Sequence, residues 1–327
     1  MNRRYQDALL ALAAGLAATA WVTADPASAV PGALILGSAS VPLAVLFAIA
    51  GRLKMEPSWP AVLGGATIGV GVAIASHAVV FAFAYTFFLG FAESGASLLE
   101  ALRIDPNLTT VLASPWTILL LIELVVVAPL TEEIGKALGA GLTHPPDRVH
   151  AFMAGAAAGV GFAIVENAFY ATGALWASYP WEALLIGRML GGAIHPLASG
   201  LVFVAWWQYR NGASRRSYLR NFAIGAGVHA LWNGALVALT VSATAFEIEA
   251  TAGDAAVISL AYAGAFGAIA TATLWIVTSN VADGRDEMPE MIALDGRVVA
   301  GWMVLAASLL LPVAVLIVAF PGFRSGG

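Results

Sequence analysis

Long apolar runs are the feature of this sequence that most constrains its fold. Runs of about 18 residues or more, the length that crosses a bilayer as a helix, recur along the 327-residue chain, which is 60% hydrophobic and only 11% charged. Backbone amides and carbonyls inside a bilayer must be satisfied within the protein, and only helices and closed barrels achieve this. The sequence therefore predicts an all-α, polytopic transmembrane helix bundle.

Nine apolar segments are predicted as membrane spans, and together they form a single membrane domain over residues 1–327. They cover residues 7–24, 32–51, 61–91, 115–142, 151–174, 184–208, 219–244, 255–279 and 298–320. Arg3-Arg4, an apolar run and then Ala27-Ser28-Ala29 also form the pattern of a cleaved secretory signal. Cleavage would leave eight spans. We expect the first span to be retained as an uncleaved anchor.

The loops between these spans differ in their content of Lys and Arg. One set of alternate loops holds Arg3, Arg4, Arg52, Lys54, Arg148, Arg210, Arg215, Arg216, Arg220, Arg285 and Arg297, and the other set holds Arg103 and Arg324. Because basic loops stay in the cytoplasm, a nine-span chain is integral to the cell membrane with a cytoplasmic N-terminus and an extracytoplasmic C-terminus. The net charge of -5 offers no basic surface for nucleic acid, and the absence of cysteine excludes thiolate metal sites.

Polar and ionisable side chains are concentrated in four consecutive spans, within residues 115–244. An Asp, Lys or Arg at the centre of a span costs roughly 2.5–3.5 kcal/mol on insertion scales, so such groups usually mark function. They are Glu132, Glu133 and Lys136 in the fourth span, Glu166 and Asn167 in the fifth, His195 in the sixth, and His229 and Asn233 in the seventh. We interpret residues 115–244 as a four-helix core that carries the functional site.

Helical spacing arranges these side chains on definite faces. Glu132 and Lys136 are four residues apart, share a face and are able to pair. His229 and Asn233 have the same spacing and project together. With a rise of 1.5 Å per residue from the predicted cytoplasmic ends, Glu132, Glu166, His195 and His229 fall at similar depths near the middle of the membrane.

The remaining charged or titratable groups near these spans have simpler interpretations. Arg188 lies near the predicted outer end of the sixth span, where we expect it to extend towards the surface or to pair with Glu182. His144 and His150 fall in a cytoplasmic loop and are expected to be solvated. Asn167 and Asn233, taken singly, are typical of hydrogen bonds between membrane helices.

A buried set of Glu and His side chains suits hydrolysis in two ways. A carboxylate can act as a general base towards water, with His or Asn as a donor to the developing oxyanion. Alternatively, His195, His229 and one or two Glu side chains hold zinc, which lowers the pKa of a bound water. The sequence contains no HExxH motif, so the common soluble zinc protease pattern is absent.

The order of these motifs resembles a known family. Glu132-Glu133-x-x-Lys136, Phe162-x-x-x-Glu166-Asn167-x-x-Tyr170, His195 and His229-x-x-x-Asn233 look like the PrsW family of intramembrane proteases. That family shares a superfamily with the CAAX prenyl endopeptidases and their bacterial relatives, which place a histidine at the position of Glu166. The resemblance covers about residues 130–235 and implies cleavage of single-span, membrane-anchored regulatory proteins such as anti-sigma factors.

The resemblance also implies roles for individual residues. Glu132 or Glu133 would activate water, and Lys136 would pair with one of them. Glu166, His195 and His229 would either bind Zn²⁺ or another divalent metal, or, without any cofactor, position water and the oxyanion. Asn233 would orient a neighbouring group or donate to the oxyanion, and Asn167 would support the site.

Two functions from other classes remain open at this point. Intramembrane Glu and His side chains also serve as proton relays in ion-coupled transporters. The sequence shows no inverted repeat and no matched pair of broken helices, which are typical of such carriers. The second alternative is a membrane scaffold that has kept the fold and lost the chemistry.

Overall fold

The computed structural model describes residues 26–89, 119, 121–176, 181–245 and 252–282, and these residues form helices and short connections without any strand. The helices are α1 (Pro26–Leu53), α2 (Trp59–Gly64), α3 (Val70–Leu89), α4 (Ala128–Ala140), α5 (Arg148–Trp176), α6 (Trp181–Leu190), α7 (Ile194–Arg210), α8 (Arg215–Ala245) and α9 (Ala252–Ala282). The predicted all-α class is confirmed. The predicted spans 7–24 and 298–320 lie outside the described residues.

Three stretches of helix in the described ranges are long and apolar enough to cross a membrane. They are Trp59–Phe83, Arg148–Tyr170 and Leu260–Thr278. Each coincides with one of the predicted spans. The second of them is the most buried and lies within α5, which packs against α1, α2 and α7. Helix α5 is therefore the central element against which the neighbouring helices of the bundle are arranged.

Two helices contain a π-helical turn. One turn (Gly65–Gly69) connects α2 to α3, so that Trp59 to Leu89 runs on as one helix. The other (Glu123–Val127) leads directly into α4, and a short 3₁₀ turn (Gly141–Thr143) follows α4. Such turns are rare and occur frequently at functional sites.

The predicted sixth span, residues 184–208, is not one continuous helix. Helix α6 ends at Leu190, and α7 begins at Ile194 after a turn closed by the Gly192 amide donating to the Met189 carbonyl (3.1 Å). Glycine is required beside this turn, because a Cβ at Gly191 would lie 2.5 Å from the Trp232 ring. The break places Arg188 in the last turn of α6 and His195 in the first turn of α7.

Helices α5 and α7 meet through glycine. A Cβ at Gly155 would lie 2.4 Å from the carbonyl oxygen of Ser199, and a Cβ at Gly159 would lie 2.4 Å from that of His195. Distances this short leave no room for any side chain, so the two backbones are in direct contact. Small residues permit this approach between membrane helices. We refer to this contact as the α5–α7 seam.

Enlarging the seam should destabilise the protein. We expect Gly159→Ala to lower the free energy of unfolding by about 1–3 kcal/mol, because the added methyl group must displace the backbone of α7. The matched control is Gly227→Ala on α8, where a Cβ would meet nothing within 4 Å. Unfolding in detergent micelles measures both changes. Equal stability of the two variants would contradict the close contact at Gly159.

Candidate active site

The ammonium group of Lys136 lies at the centre of the polar cluster. It is fully buried and donates hydrogen bonds to Glu132 Oε2 (3.3 Å) and Glu133 Oε1 (2.9 Å). Its Nζ also lies 4.0 Å from the centroid of the Phe162 ring. The predicted pair of Glu132 and Lys136 is therefore present, and Glu133 shares the same cation.

Lys136 also fixes the tautomer of one histidine. Its Nζ lies 3.0 Å from Nδ1 of His195. Because a lysine ammonium only donates hydrogen bonds, Nδ1 of His195 is the acceptor, and a neutral ring carries its proton on Nε2. That Nε2 lies 3.0 Å from Oε2 of Glu166. His195 therefore stands between the cation of Lys136 and the carboxylate of Glu166.

Glu133 is fully buried and is surrounded by donors. Besides Lys136, it accepts a hydrogen bond from Nδ1 of His229 (3.0 Å) and one from Oγ of Ser199 (2.8 Å). Because a carboxylate accepts, the proton of neutral His229 is on Nδ1, and Nε2 carries the lone pair. This Nε2 points to the side of Glu132, with Oε2 at 3.6 Å.

The side chain of Glu182, one expected partner of Arg188, lies outside the described residues. Arg188 is a member of the cluster, and the expectation that it extends to the surface is wrong. It is buried, it forms an ion pair with Glu166 through Nη2, and its Nε donates to Asn167 Oδ1 at 2.6 Å. Asn167 in turn donates to the carbonyl of Ser38 at 2.7 Å. Arg188 is buried in the cluster because the turn after Leu190 ends α6 beside α5.

Three side chains are close enough together to bind one metal ion. Glu132, His195 and His229 are all buried, and each offers a ligand atom within 4.8 Å of the others. Among the described residues, Nε2 of His195 and Nε2 of His229 accept or donate no properly oriented hydrogen bond. One carboxylate and two imidazoles form the ligand type of several catalytic zinc sites, so these residues fit a divalent metal.

This group differs from the set implied by the resemblance, which was Glu166, His195 and His229. The structure brings Glu132 to the two histidines, whereas Glu166 lies on the other side of His195 with Arg188. The guanidinium explains the difference, because it occupies an oxygen of Glu166. The sequence alone does not reveal which carboxylate of several at similar depth faces which histidine.

Asn233 lies one turn beyond His229 but contacts backbone and not the carboxylates. Its Nδ2 donates to the carbonyl oxygen of Leu124 at 3.1 Å. This hydrogen bond attaches α8 to the π-helical turn before α4. Asn233 therefore holds two helices of the site together.

The loop histidines are exposed, as predicted. His150 donates its backbone amide to Oδ1 of Asp147 (2.9 Å), and its ring contacts the same carboxylate at 2.8 Å. Partial burial raises the pKa of Asp147, but the hydrogen bonds from His150 outweigh it and hold that pKa below the usual range. This arrangement caps the start of α5 and lies apart from the buried cluster.

A second polar pair was not predicted from the sequence. His77 on α3 hydrogen-bonds through Nδ1 to Oε1 of Glu123, the first residue of the π-helical turn before α4. Both residues lie in apolar segments, where ionisable groups are rare. Their position in the sequence could therefore have indicated that they are important.

The comparison with known families agrees with this site. No curated protein and no solved structure matches the chain. Residues 56–263 match the PrsW-protease family, described as PrsW family intramembrane metalloprotease. The match covers more than half of the chain and contains every residue of the polar cluster. Together with the apolar helices, it shows that this integral membrane protein belongs to the PrsW family of intramembrane metalloproteases.

Proposed function

We propose that this protein hydrolyses peptide bonds of single-span, membrane-anchored proteins within the bilayer, including regulatory proteins such as anti-sigma factors. The observation that carries the proposal is the buried group of Glu132, His195 and His229, with further carboxylates on both sides of it. A low-dielectric site with several ionisable side chains is unusual in a membrane and costly without a function.

Glu132, His195 and His229 would hold Zn²⁺ or another divalent cation. When bound, such an ion polarises the substrate carbonyl and lowers the pKa of a coordinated water. His229 is already in the required tautomer, because Glu133 accepts its Nδ1 proton and leaves the Nε2 lone pair free. Nε2 of His195 can bind a metal only in the tautomer that carries its proton on Nδ1, and Lys136 holds the opposite tautomer by donating to Nδ1. The ammonium group and a metal therefore compete for His195.

The other residues have roles that follow from their contacts. Glu133 orients His229 as an outer carboxylate, a common partner of metal-bound histidine, and Ser199 fixes Glu133 in turn. Because Glu133 already accepts three hydrogen bonds and Glu166 is held by Arg188, Glu132 has the greatest free capacity to accept. We therefore assign contact with the reacting water to Glu132, as a metal ligand or, without metal, as the general base.

We also propose the membrane arrangement predicted from the sequence. Nine spans with a cytoplasmic N-terminus agree with the distribution of Lys and Arg. We place the catalytic core in residues 115–244. Support comes from α4, α5, α7 and α8, which supply Glu132, Glu166, His195 and His229. Epitope tags at each terminus, tested for accessibility in intact cells, would measure this orientation.

The function is tested by co-expression with a single-span substrate that carries a tag at each end. We expect Glu132→Gln and His229→Ala to slow cleavage by about 10²–10⁴-fold, the usual contribution of a group that activates water. His150→Ala, an exposed loop histidine, is the matched control and should cleave normally. Normal cleavage by both site variants would refute the assignment.

Metal analysis of the purified protein separates the two forms of the mechanism. If the metal mechanism operates, the native protein should contain a stoichiometric divalent metal, and His229→Ala should lose it. Chelation should then stop cleavage, and re-addition of the metal should restore it. Cleavage by a metal-free protein would assign the reaction to glutamate alone.

A further inference from the structure

The pair of His77 and Glu123 lies outside the active site and has an unsatisfied atom. The side chain of Glu123 is 1% exposed and that of His77 is 31% exposed. Oε2 of Glu123 is buried and has no hydrogen-bond partner among the residues that the structure describes. A buried carboxylate oxygen of this kind is costly, and water is the usual ligand of such an atom.

The pair is connected to the active site through α8. Leu124, the neighbour of Glu123, accepts the hydrogen bond of Asn233 at 3.1 Å. Asn233 is one helical turn from His229, which lies 3.6 Å from Oε2 of Glu132. The π-helical turn that carries Glu123 is therefore attached to α8 one helical turn from His229.

The spacing from Glu123 in the π-helical turn to Glu132 in α4 shows how far apart the two carboxylates lie across the membrane. Glu123 and Glu132 are 132 − 123 = 9 residues apart, which is about 14 Å at the rise of a helix. Half of the hydrocarbon core of a bilayer is about 15 Å. A site near mid-membrane would thus be linked to one surface by the pair of His77 and Glu123.

The positions of Lys and Arg at the ends of the helices identify which membrane surface this is. Helix α3 follows, through α2, the end of α1 and the connection that carry Arg52 and Lys54, and α8 itself begins with Arg215 and Arg216. Counted from the basic loops, His77 lies beyond the middle of the continuous stretch Trp59 to Leu89, and Asn233 lies beyond the middle of α8. Under the proposed nine-span arrangement the ends of these helices opposite the basic loops are extracytoplasmic.

We propose that His77 and Glu123 form the entrance by which water reaches Glu132 from the extracytoplasmic side. The inference rests on the proposed function, because each hydrolysed peptide bond consumes one water molecule and hydrocarbon supplies none. Partly exposed His77 meets the aqueous phase. Buried Glu123 then binds water through Oε2 and passes it towards Asn233 and His229.

The first test uses chemical labelling, which needs no catalysis. The chain has no cysteine, so His77→Cys and Val79→Cys each create a single thiol. A membrane-impermeant methanethiosulfonate reagent is added from either side of intact, oriented vesicles. We expect labelling of His77→Cys from the extracytoplasmic side only. Val79→Cys should stay unlabelled although Val79 is 68% exposed, because that apolar face meets lipid.

The labelling result decides the proposal in either direction. Equal labelling of both positions, labelling of neither, or labelling of position 77 from the cytoplasmic side alone would overturn the entrance. The assay remains informative if no substrate is ever cleaved. Failure of the proposed protease function is therefore distinguishable from failure of this inference.

The second test measures cleavage in variants of Glu123. Glu123→Leu should slow cleavage about tenfold, equivalent to about 1.4 kcal/mol, because the bridging water contact is lost. Glu123→Gln keeps an acceptor and should retain most of the rate. Metal content and thermal stability should match the unmodified protein in both. A native rate in Glu123→Leu, with Glu132→Gln inactive, would overturn the entrance and leave the protease assignment intact.

Discussion

Replacing Lys136 with methionine should lower the free energy of unfolding in detergent micelles by about 3–5 kcal/mol, the usual cost of removing one partner from a buried ion pair. The ammonium group is fully buried and bonds to both Glu132 and Glu133. Without it, two adjacent carboxylates lose their shared cation in a low-dielectric interior. His195 also loses the donor to its Nδ1.

The same variant should respond more strongly to metal than the native protein. Removal of Lys136 frees Nδ1 of His195 and removes a positive charge from the ligand group. Each tenfold gain in metal affinity adds about 1.4 kcal/mol of stability at saturating metal. Thermal unfolding with and without Zn²⁺ measures this gain. Lys54→Met, at the other, exposed lysine of the chain, is the control, and a similar response in both variants would contradict the competition.

Replacing Arg188 with methionine should also cost about 3–5 kcal/mol of unfolding free energy. Arg188 forms an ion pair with Glu166 and donates to Asn167, so one substitution leaves a buried carboxylate and a buried amide without their donor. Cleavage should fall as well, because Glu166 lies 3.0 Å from Nε2 of His195 and loses its anchor.

Companion variants separate the charge of Arg188 from its geometry. Arg188→Lys keeps the charge but not the planar fork, so we expect an intermediate loss of stability. Adding Glu166→Gln to Arg188→Met should recover stability, since no isolated charge remains, but should not recover cleavage. Arg210→Met, at an exposed helix end, should change stability by less than about 0.5 kcal/mol. An unaffected Arg188→Met would show that the pair is solvated.

Helical periodicity predicted the pairing of Glu132 with Lys136 within the candidate site. The spacing of four residues between Glu132 and Lys136 gives a pair in the structure, and His229 and Asn233 project from one side of α8. The high cost of buried ions also indicated that four helices share one cluster. The two spacings of four residues depend on local helix geometry, which the sequence determines directly.

The contacts between helices were less predictable because they depend on rotation and on breaks in the chain. A continuous sixth span placed Arg188 near the surface, but the turn after Leu190 ends α6 inside the protein. Arg188 forms an ion pair with Glu166, and Glu132 is the carboxylate that lies close to the two histidines of the metal group. The periodicity of the sequence does not indicate which of the carboxylates lies close to the histidines.

His77 and Glu123 show a different limit. Each is an ionisable residue among apolar neighbours, with no charged residue three or four positions away on its own helix. The two lie 46 residues apart and meet through tertiary packing alone. The free-energy cost of an ionisable side chain inside a membrane span marks each of them as unusual in the sequence. Only the fold shows that they are partners.

The α5–α7 seam has a consequence for how the site responds to strain. Side chains absorb small displacements by changing rotamer, but the atoms in contact at Gly159 include a backbone carbonyl of His195 itself. The imidazole and the contact therefore belong to the same residue, with only the Cα–Cβ and Cβ–Cγ bonds to rotate between them. Any displacement of α7 relative to α5 would also move the backbone that carries the imidazole, so the seam determines where the His195 side chain begins.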